Sequence, residues 1–70
     1  MRCVGIKQVL KCVKENNTKK VFVAKDTEPH ITNELIKLCN EKNIEIIYVK
    51  SMTELGKMAG IEVGTSCFAE

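Results

Sequence analysis

An uninterrupted run of four apolar residues, 21–24, lies between Lys20 and Lys25. Its β-branched and aromatic side chains are typical of a strand, and the lack of alternation indicates that both faces of this strand are buried. A second run, residues 44–49, is also mostly apolar, with Glu45 near its start. These two runs predict a sheet that the rest of the chain covers on both sides.

Helices are predicted on either side of these strands. A helical apolar stripe spans residues 6–15, and a second stripe spans residues 29–42 and begins at the only proline. A third, shorter helix starts at a capping box headed by Ser51 and stops at Gly60. Asn16 and Asn43 are expected to end the first two helices, because asparagine tolerates the left-handed conformation. This alternation predicts an α/β fold with crossover connections and short strands near the two ends of the sequence.

The length predicts a single domain, residues 1–70. Apolar residues make up 44% of the chain and charged residues 29%, which is typical of a globular protein. The sequence has no apolar run near the roughly 18 residues of a membrane span, and no signal-peptide pattern at its start. We therefore expect a cytoplasmic protein that does not contact membranes.

Charge is distributed unevenly along the chain. Residues 1–25 contain seven basic residues and one acidic residue, whereas residues 26–70 contain four basic and eight acidic residues. Since the net charge is only +2, this asymmetry predicts one electropositive face. Such a face favours an anionic partner such as nucleic acid, although an ordinary lysine-rich surface has the same composition.

The predicted first helix carries much of this charge on one face. Lys7, Lys11 and Lys14 recur at i, i+4 and i+7, with Gln8 beside them. Gly5 directly precedes the helix and lets a partner approach the backbone closely. The N–H groups of the first turn and the positive end of the helix dipole point the same way. This combination of donors predicts a nucleic-acid partner rich in phosphate and base-edge acceptors.

Enzyme chemistry has little support in the sequence. It contains no phosphate-binding glycine loop, no nucleophile elbow and no zinc-protease motif. His30 is the only histidine, and a histidine without a positioned partner is far more often a surface residue than a catalyst. We expect no catalytic residue, no metal ligand and no cofactor.

The four cysteines, Cys3, Cys12, Cys39 and Cys67, have no C-x-x-C spacing and no histidine nearby, so a zinc site is not expected. Disulfides are not expected either, because they are rare in cytosolic proteins. We expect the cysteines to act as small buried apolar side chains.

A short loop after the third helix contains Ile61, Glu62 and Val63. Two β-branched apolar residues flanking a charge are unusual for a solvent-facing loop. Either both fill the core as the chain turns back, or they form an exposed apolar recognition edge. The sequence leaves both interpretations open.

Three segments together resemble the kink-turn-binding ribosomal protein family, the L-seven-Ae/L-thirty-e superfamily, and most closely its short bacterial members. They are residues 5–11, 21–29 and 55–64, of which the last is the most specific, and the resemblance covers nearly the whole chain. It implies a compact three-layer α/β/α sandwich with a small mixed sheet, lacking the family's first helix and part of its last strand. It also implies a protein that recognises and stabilises kink-turn RNA, which bends sharply at a bulge beside tandem G·A pairs.

The resemblance further implies which residues contact RNA. The start of the basic helix would enter the groove at the G·A pairs, where Lys7 can donate to guanine O6 and N7 and Gln8 can read an adenine edge. Glu28 and residues 61–63 would enclose unstacked bulge nucleotides. Lys11 would also face the guanine and adenine edges. The lysines that would neutralise phosphates are Lys7, Lys11, Lys14, Lys20 and Lys25. The residues predicted to bind RNA are Gly5, Lys7, Gln8, Lys11, Lys14, Lys25, Glu28, Ile61, Glu62 and Val63.

Some of these residues differ from the pattern of the archaeal and eukaryotic members. Those members usually carry Asn-Glu at the positions of Lys7 and Gln8, and a proline at the position of Gly64. Lysine replaces a side chain that both donates and accepts with one that only donates. The forms found in this chain resemble the bacterial branch.

Other functions are compatible with the same residues. One is an RNA-recognition module of a larger RNA-modifying enzyme, and another is a ribosome-associated protein–protein module that uses the apolar loop 61–63. A thiol-based redox function is a weaker alternative. RNA binding through several lysines would fall steeply with salt, whereas an apolar contact would not. We expect a monomer that binds RNA, of the ribosome or of a regulatory transcript.

Overall fold

The computed structural model describes residues 3–70, within which three helices and four strands alternate. The elements are β1 (Cys3–Val4), α1 (Ile6–Lys14), β2 (Lys20–Ala24), α2 (Pro29–Glu41), β3 (Glu45–Val49), α3 (Met52–Ala59) and β4 (Cys67–Ala69). The predicted alternation is confirmed, and the predicted ends lie within one residue of the observed ones. Arg2, which was counted in the basic N-terminal segment, lies outside the described residues.

The strands form one mixed sheet in the order β1-β4-β2-β3. β2 and β3 are parallel, whereas β4 runs antiparallel to both of its neighbours. Phe22 of β2 lies opposite Phe68 of β4, and their rings stack with centroids 5.6 Å apart. β4 therefore joins the N-terminal strand to the centre of the sheet.

The strand predicted to be buried on both faces divides the core in two. Val21 and Val23 of β2 pack with apolar side chains of α1 and α2 on one face of the sheet. Phe22 and Ala24 pack with Leu55 of α3 on the other face. Helices thus cover both faces, which confirms the expected three-layer α/β/α sandwich.

The residues predicted to end and start helices adopt the expected conformations. Asn16 and Asn43 both have a φ of 58°, and Gly60 has a φ of 78°. These positive φ angles terminate the three helices, since asparagine and glycine tolerate the left-handed region. At the start of α3, Ser51 Oγ accepts a hydrogen bond of 3.2 Å from the Glu54 backbone N–H. The predicted turns and the serine cap are therefore confirmed.

Two of the cysteines are buried thiols, as expected. Cys39 and Cys67 are both fully covered in the core beneath α1 and α2. Burial raises the pKa of the Cys67 thiol to about 11, an effect that the Ser66 hydroxyl partly opposes. Burial also raises the pKa of Cys39. Both thiols are therefore protonated at neutral pH, where a protonated thiol is a poor nucleophile.

The expectation that the chain has no disulfide is wrong for the other two cysteines. Cys3 of β1 and Cys12 of α1 form a disulfide across a Cα–Cα distance of 6.8 Å. Gly5, with a φ of 90°, reverses the chain between the two elements, so that α1 packs back over its own strand. The pairing depends on this reversal, which the spacing of the cysteines does not reveal.

Candidate functional site

The loops that follow β1, β2 and β3 meet the loop that precedes β4 at one edge of the sheet. The Gly5 N–H donates to the Cys67 carbonyl at 3.1 Å, and the Lys25 N–H donates to the Val49 carbonyl at 2.8 Å. All three helices begin at this edge because each follows the carboxyl end of a strand. We call it the loop edge; it comprises residues 5–8, 25–29, 50–52 and 60–66.

The first turn of α1 brings the predicted basic helix to the loop edge. Lys7 and Gln8 are exposed, whereas Val9 and Val13 are completely buried, as the helical periodicity predicts. Gly5 occupies the N-cap position, so no side chain caps the first-turn N–H groups. The positive end of the α1 dipole therefore coincides with two exposed side chains that can donate hydrogen bonds.

The lysines further along α1 lie at increasing distance from this edge. Lys11 is exposed and lines a shallow hollow with Gln8 beside the Cys3–Cys12 disulfide. Lys14 lies about 10 Å further along the helix axis than Lys7. Its carbonyl accepts a hydrogen bond of 3.4 Å from Lys42 Nζ. Periodicity placed Lys14 correctly on the face of Lys7 and Lys11, but the structure does not bring it to the loop edge.

The β2–α2 loop contributes three exposed charged residues to the loop edge, Lys25, Asp26 and Glu28. The Glu28 carboxylate lies 3.3 Å from His30 Nδ1, and both side chains are more than 70% exposed. Asp26 braces the loop instead, since its Oδ1 accepts from the Met52 N–H at 2.9 Å. The structure thus brings Lys25 and Glu28 to the same edge as Lys7, while Asp26 ties two of the loops together.

The two ends of the loop 61–63 lie in different environments, so the core-filling interpretation holds at one end and the exposed-edge interpretation at the other. Ile61 is partly buried against the core cluster of Leu55 and Phe68, whereas Val63 is 71% exposed. Glu62 between them is exposed. Ile61 therefore fills the core, and Val63 forms the exposed apolar edge.

This loop is fastened to α3. The Ile61 N–H donates to the Gly56 carbonyl at 3.0 Å, and the Thr65 N–H donates to the Met52 carbonyl at 3.2 Å. A Cβ at Gly56 would overlap the Val63 carbonyl oxygen. Sequence analysis missed this role of Gly56, although a glycine inside an amphipathic helix is a signal of close packing because it costs helix stability.

A second feature that sequence analysis missed is a hollow of about 420 Å³ between α2 and β3. Its lining includes Thr27, Asn33 and Tyr48, but not Glu28 or residues 61–63. Tyr48 is 51% exposed in a strand that is otherwise mostly apolar, and this was the available signal. The hollow adjoins the loop edge through Thr27 and is not the pocket that the resemblance implied.

Residues 3–70 contain no cluster of three or more potential metal-ligating side chains. None of the helices there has both the length and the apolar character that a bilayer crossing requires. His30 pairs only with Glu28, on the open surface.

Comparison with known proteins identifies relatives of the chain. The model of the ribosomal protein L7Ae/L30e/S12e/Gadd45 family matches residues 3–70. An RNA-binding protein of Caldanaerobacter subterraneus subsp. tengcongensis is 44% identical over 69 residues, which are 99% of this chain and 84% of that protein. The large ribosomal subunit protein eL8 of Halobacterium salinarum is 39% identical over 66 residues, which cover 93% of this chain and 55% of eL8.

A solved structure shows the same fold. The Giardia lamblia 15.5kD RNA binding protein superimposes with a TM-score of 0.89 and 25% identity, covering 97% of this chain and 57% of that one. The names of these relatives are those of RNA-binding and ribosomal proteins, not of enzymes. From the match over residues 3–70 and the 44% identity across 84% of the Caldanaerobacter protein, we conclude that the chain belongs to the ribosomal protein L7Ae/L30e/S12e/Gadd45 family.

Proposed function

We propose that this chain is a monomeric, single-domain RNA-binding protein of the ribosomal-protein type that recognises and stabilises kink-turn RNA through its loop edge. The observation that carries the proposal is the convergence of Lys7, Gln8, Lys25, Glu28 and Val63 on one edge, all of them exposed. The names of the family's bacterial and archaeal members support RNA as the ligand.

The first turn of α1 supplies contacts to base edges. Lys7 donates to guanine O6 and N7, and the Gln8 amide both donates to and accepts from an adenine edge. Gly5 carries no side chain, and an added Cβ there would have no atom of residues 3–70 within 4 Å apart from its chain neighbours, so that space is open to the RNA backbone. Lys11 reaches the same groove from the next turn of the helix.

Phosphates are neutralised by lysines at and near the loop edge. Lys7 and Lys25 lie at that edge and Lys11 lies one turn away, all exposed. Lys14 ends α1 and Lys20 begins β2, so both lie at the end of the sheet opposite the loop edge. They contribute to RNA binding only through longer-range attraction. Each lysine that contacts a phosphate adds about one unit to the salt dependence of binding.

Selection of the kinked form follows from the rigidity of the loop edge. Glu28 and Val63 lie on loops that Asp26 and the Gly56 contact hold in place. Val63 provides an apolar surface for an unstacked bulge base, and Glu28 accepts from its edge. Only a sharply bent RNA can reach these loops and the start of α1 at once, so binding shifts the RNA towards its kinked conformer.

The test is a titration against an end-labelled standard kink-turn RNA and a twin whose G·A pairs are replaced by Watson–Crick pairs. We expect tight binding to the first RNA alone, with a steep salt dependence. Lys37→Ala is a matched control for Lys7→Ala, because it removes the same charge from an exposed helical position away from the loop edge. Equal, weak binding to both RNAs would contradict the proposal and favour a protein partner at Val63.

A further inference from the structure

The hollow between α2 and β3 has the form of a ligand site. Its volume of about 420 Å³ falls within the range of about 300–1,000 Å³ that is usual for small-molecule pockets. Pro29 and Ile36 of α2 form an apolar wall, and Tyr48 of β3 forms part of the lining. Lys25 and Thr27 connect the hollow to the loop edge.

A buried hydroxyl in this hollow has no partner. Thr27 is only 9% exposed, and its Oγ1 makes no hydrogen bond with any of residues 3–70. Two other buried threonines are paired: Thr18 Oγ1 donates to the Glu70 carbonyl at 2.6 Å, and Thr65 Oγ1 donates to the Cys67 carbonyl at 3.0 Å. A buried polar group without a partner is costly, and this oxygen is shielded from solvent in the present side-chain conformation. Rotation of the Thr27 side chain toward the hollow would let a ligand pair with the hydroxyl and remove this penalty on binding.

The remaining lining residues define the chemistry of that ligand. The half-exposed Tyr48 ring offers a stacking surface, and Ile36 offers an apolar surface on α2. The Asn33 amide and the Thr27 hydroxyl can each donate and accept hydrogen bonds, which suits the mixed edge of a heterocycle. Lys25 supplies a cation at the mouth of the hollow, where a phosphate attached to the heterocycle would lie.

We propose that this hollow binds an unstacked nucleobase, separately from the surface formed by Glu28 and loop 61–63. The base belongs either to a nucleotide of the bound RNA, in which case the inference rests on the proposed function, or to a free mononucleotide. The ring stacks on Tyr48, and its edge pairs with Thr27 and Asn33.

The test follows the Thr27 and Tyr48 resonances by NMR during titrations with AMP, GMP, CMP and UMP, and separately with the kink-turn RNA. We expect saturable shifts at Thr27, Asn33, Ile36 and Tyr48 in at least one titration. Tyr48 is the only tyrosine, so its ring signals need no further assignment. Shifts with mononucleotides identify free nucleotide as a ligand, and shifts with RNA alone identify a nucleotide of the strand.

Two variants separate a binding role from a structural one. Thr27→Val removes the hydroxyl and keeps the shape, so we expect about tenfold weaker binding of the base together with an unchanged or higher melting temperature. Thr53→Val is the matched control, because Thr53 is exposed on α3. Tyr48→Ala should abolish the shifts at Thr27, whereas Tyr48→Phe, which keeps the ring, should retain them.

The outcomes separate this inference from the proposed function. If neither the mononucleotides nor the RNA shift Thr27 and Tyr48, or if Thr27→Val binds as the wild type does, the nucleobase site is refuted. If RNA binding then still depends on Lys7, the proposed function stands without it. Mononucleotide shifts at the hollow combined with no binding of kink-turn RNA would support the site and refute the proposed function.

Discussion

The two opposite edges of the sheet use their polar groups differently. At the turn edge, which comprises residues 15–20, 41–45 and 70, several polar side chains form hydrogen bonds within the chain. There Lys42 Nζ donates to Asn16 Oδ1 at 3.0 Å, and Thr18 Oγ1 donates to the carbonyls of Lys20 and Glu70. At the loop edge, α1 and α2 begin without any side-chain cap.

This difference indicates which edge of the sheet has exposed side chains that can bind a partner. At the turn edge, Asn16 and Asn43 end two helices in the left-handed conformation, and hydrogen bonds such as that from Lys42 to Asn16 are made within the protein. The loop edge is braced from within by Asp26 and Gly56, while Lys7, Gln8 and Val63 project from it without being used to hold the fold together. If RNA binding and stability depend on different edges, substitutions at the two edges will affect different properties of the protein.

The largest effect on stability is expected from the disulfide that joins α1 to β1. Reduction of the Cys3–Cys12 bond, which closes a loop with a sequence separation of 9, should lower the free energy of unfolding by about 2–3 kcal/mol. Urea denaturation with and without reductant measures this change. The double variant Cys3→Ser/Cys12→Ser is the control, and its stability should not respond to reductant. Equal stability of the oxidised and reduced wild type would show that the bond contributes nothing.

Gly56→Ala should destabilise the loop edge by about 1–3 kcal/mol, because the new methyl group would overlap the Val63 carbonyl and displace the loop 61–63. RNA affinity should fall as well. Lys57→Ala, at the exposed neighbouring position of α3, should change stability by only a few tenths of a kcal/mol. Denaturation and RNA titration of both variants provide the comparison. Wild-type behaviour of Gly56→Ala would mean that the position of the loop is not important.

Lys7 and Lys14 lie on the same face of α1 but at opposite ends, so replacing each tests whether RNA binds at the loop edge. Lys7→Ala should weaken binding to kink-turn RNA by about 1–3 kcal/mol and weaken binding to plain duplex RNA much less, because only the phosphate attraction is lost there. Lys14→Ala, which removes the same charge at the far end of α1, should weaken binding slightly and equally for both RNAs. Titrations at two salt concentrations distinguish these outcomes. A larger loss for Lys14→Ala than for Lys7→Ala would place the RNA along α1 and away from the loop edge.

The smallest effect is expected at the turn edge. Asn43→Ala should cost about 1 kcal/mol of stability because alanine disfavours the φ of 58°, and it should leave RNA affinity unchanged. Asn43→Gly should be close to the wild type in both respects. Thermal melting and one RNA titration per variant suffice. A loss of RNA affinity in Asn43→Gly would show that the turn edge also takes part in RNA binding.

Much of the fold follows from local patterns in the sequence. The apolar run at Val21 predicted the doubly buried strand, and Asn16, Asn43 and Gly60 predicted the helix ends, because each of these signals depends on a few neighbouring residues. The order β1-β4-β2-β3 was not predicted, since it depends on pairing between residues far apart in the chain.

The candidate site was predicted in part, for a similar reason. Helical periodicity gives the face on which a side chain lies but not its height relative to other loops, so Lys14 was grouped with Lys7. The bracing role of Asp26 was not predicted, because its partner, the Met52 N–H, is distant in the sequence. The unpaired hydroxyl of Thr27 has no local signal, since its burial arises only when α2 packs on the sheet.

The most direct test of the central claim is to map the backbone amide shifts of the protein on binding kink-turn RNA. If the loop edge is the RNA-binding surface, the largest shifts will occur at residues 5–8, 25–28 and 61–64, and those at residues 15–20 and 41–45 will be small. Shifts concentrated at the turn edge, or none at a saturating RNA concentration, would contradict the claim.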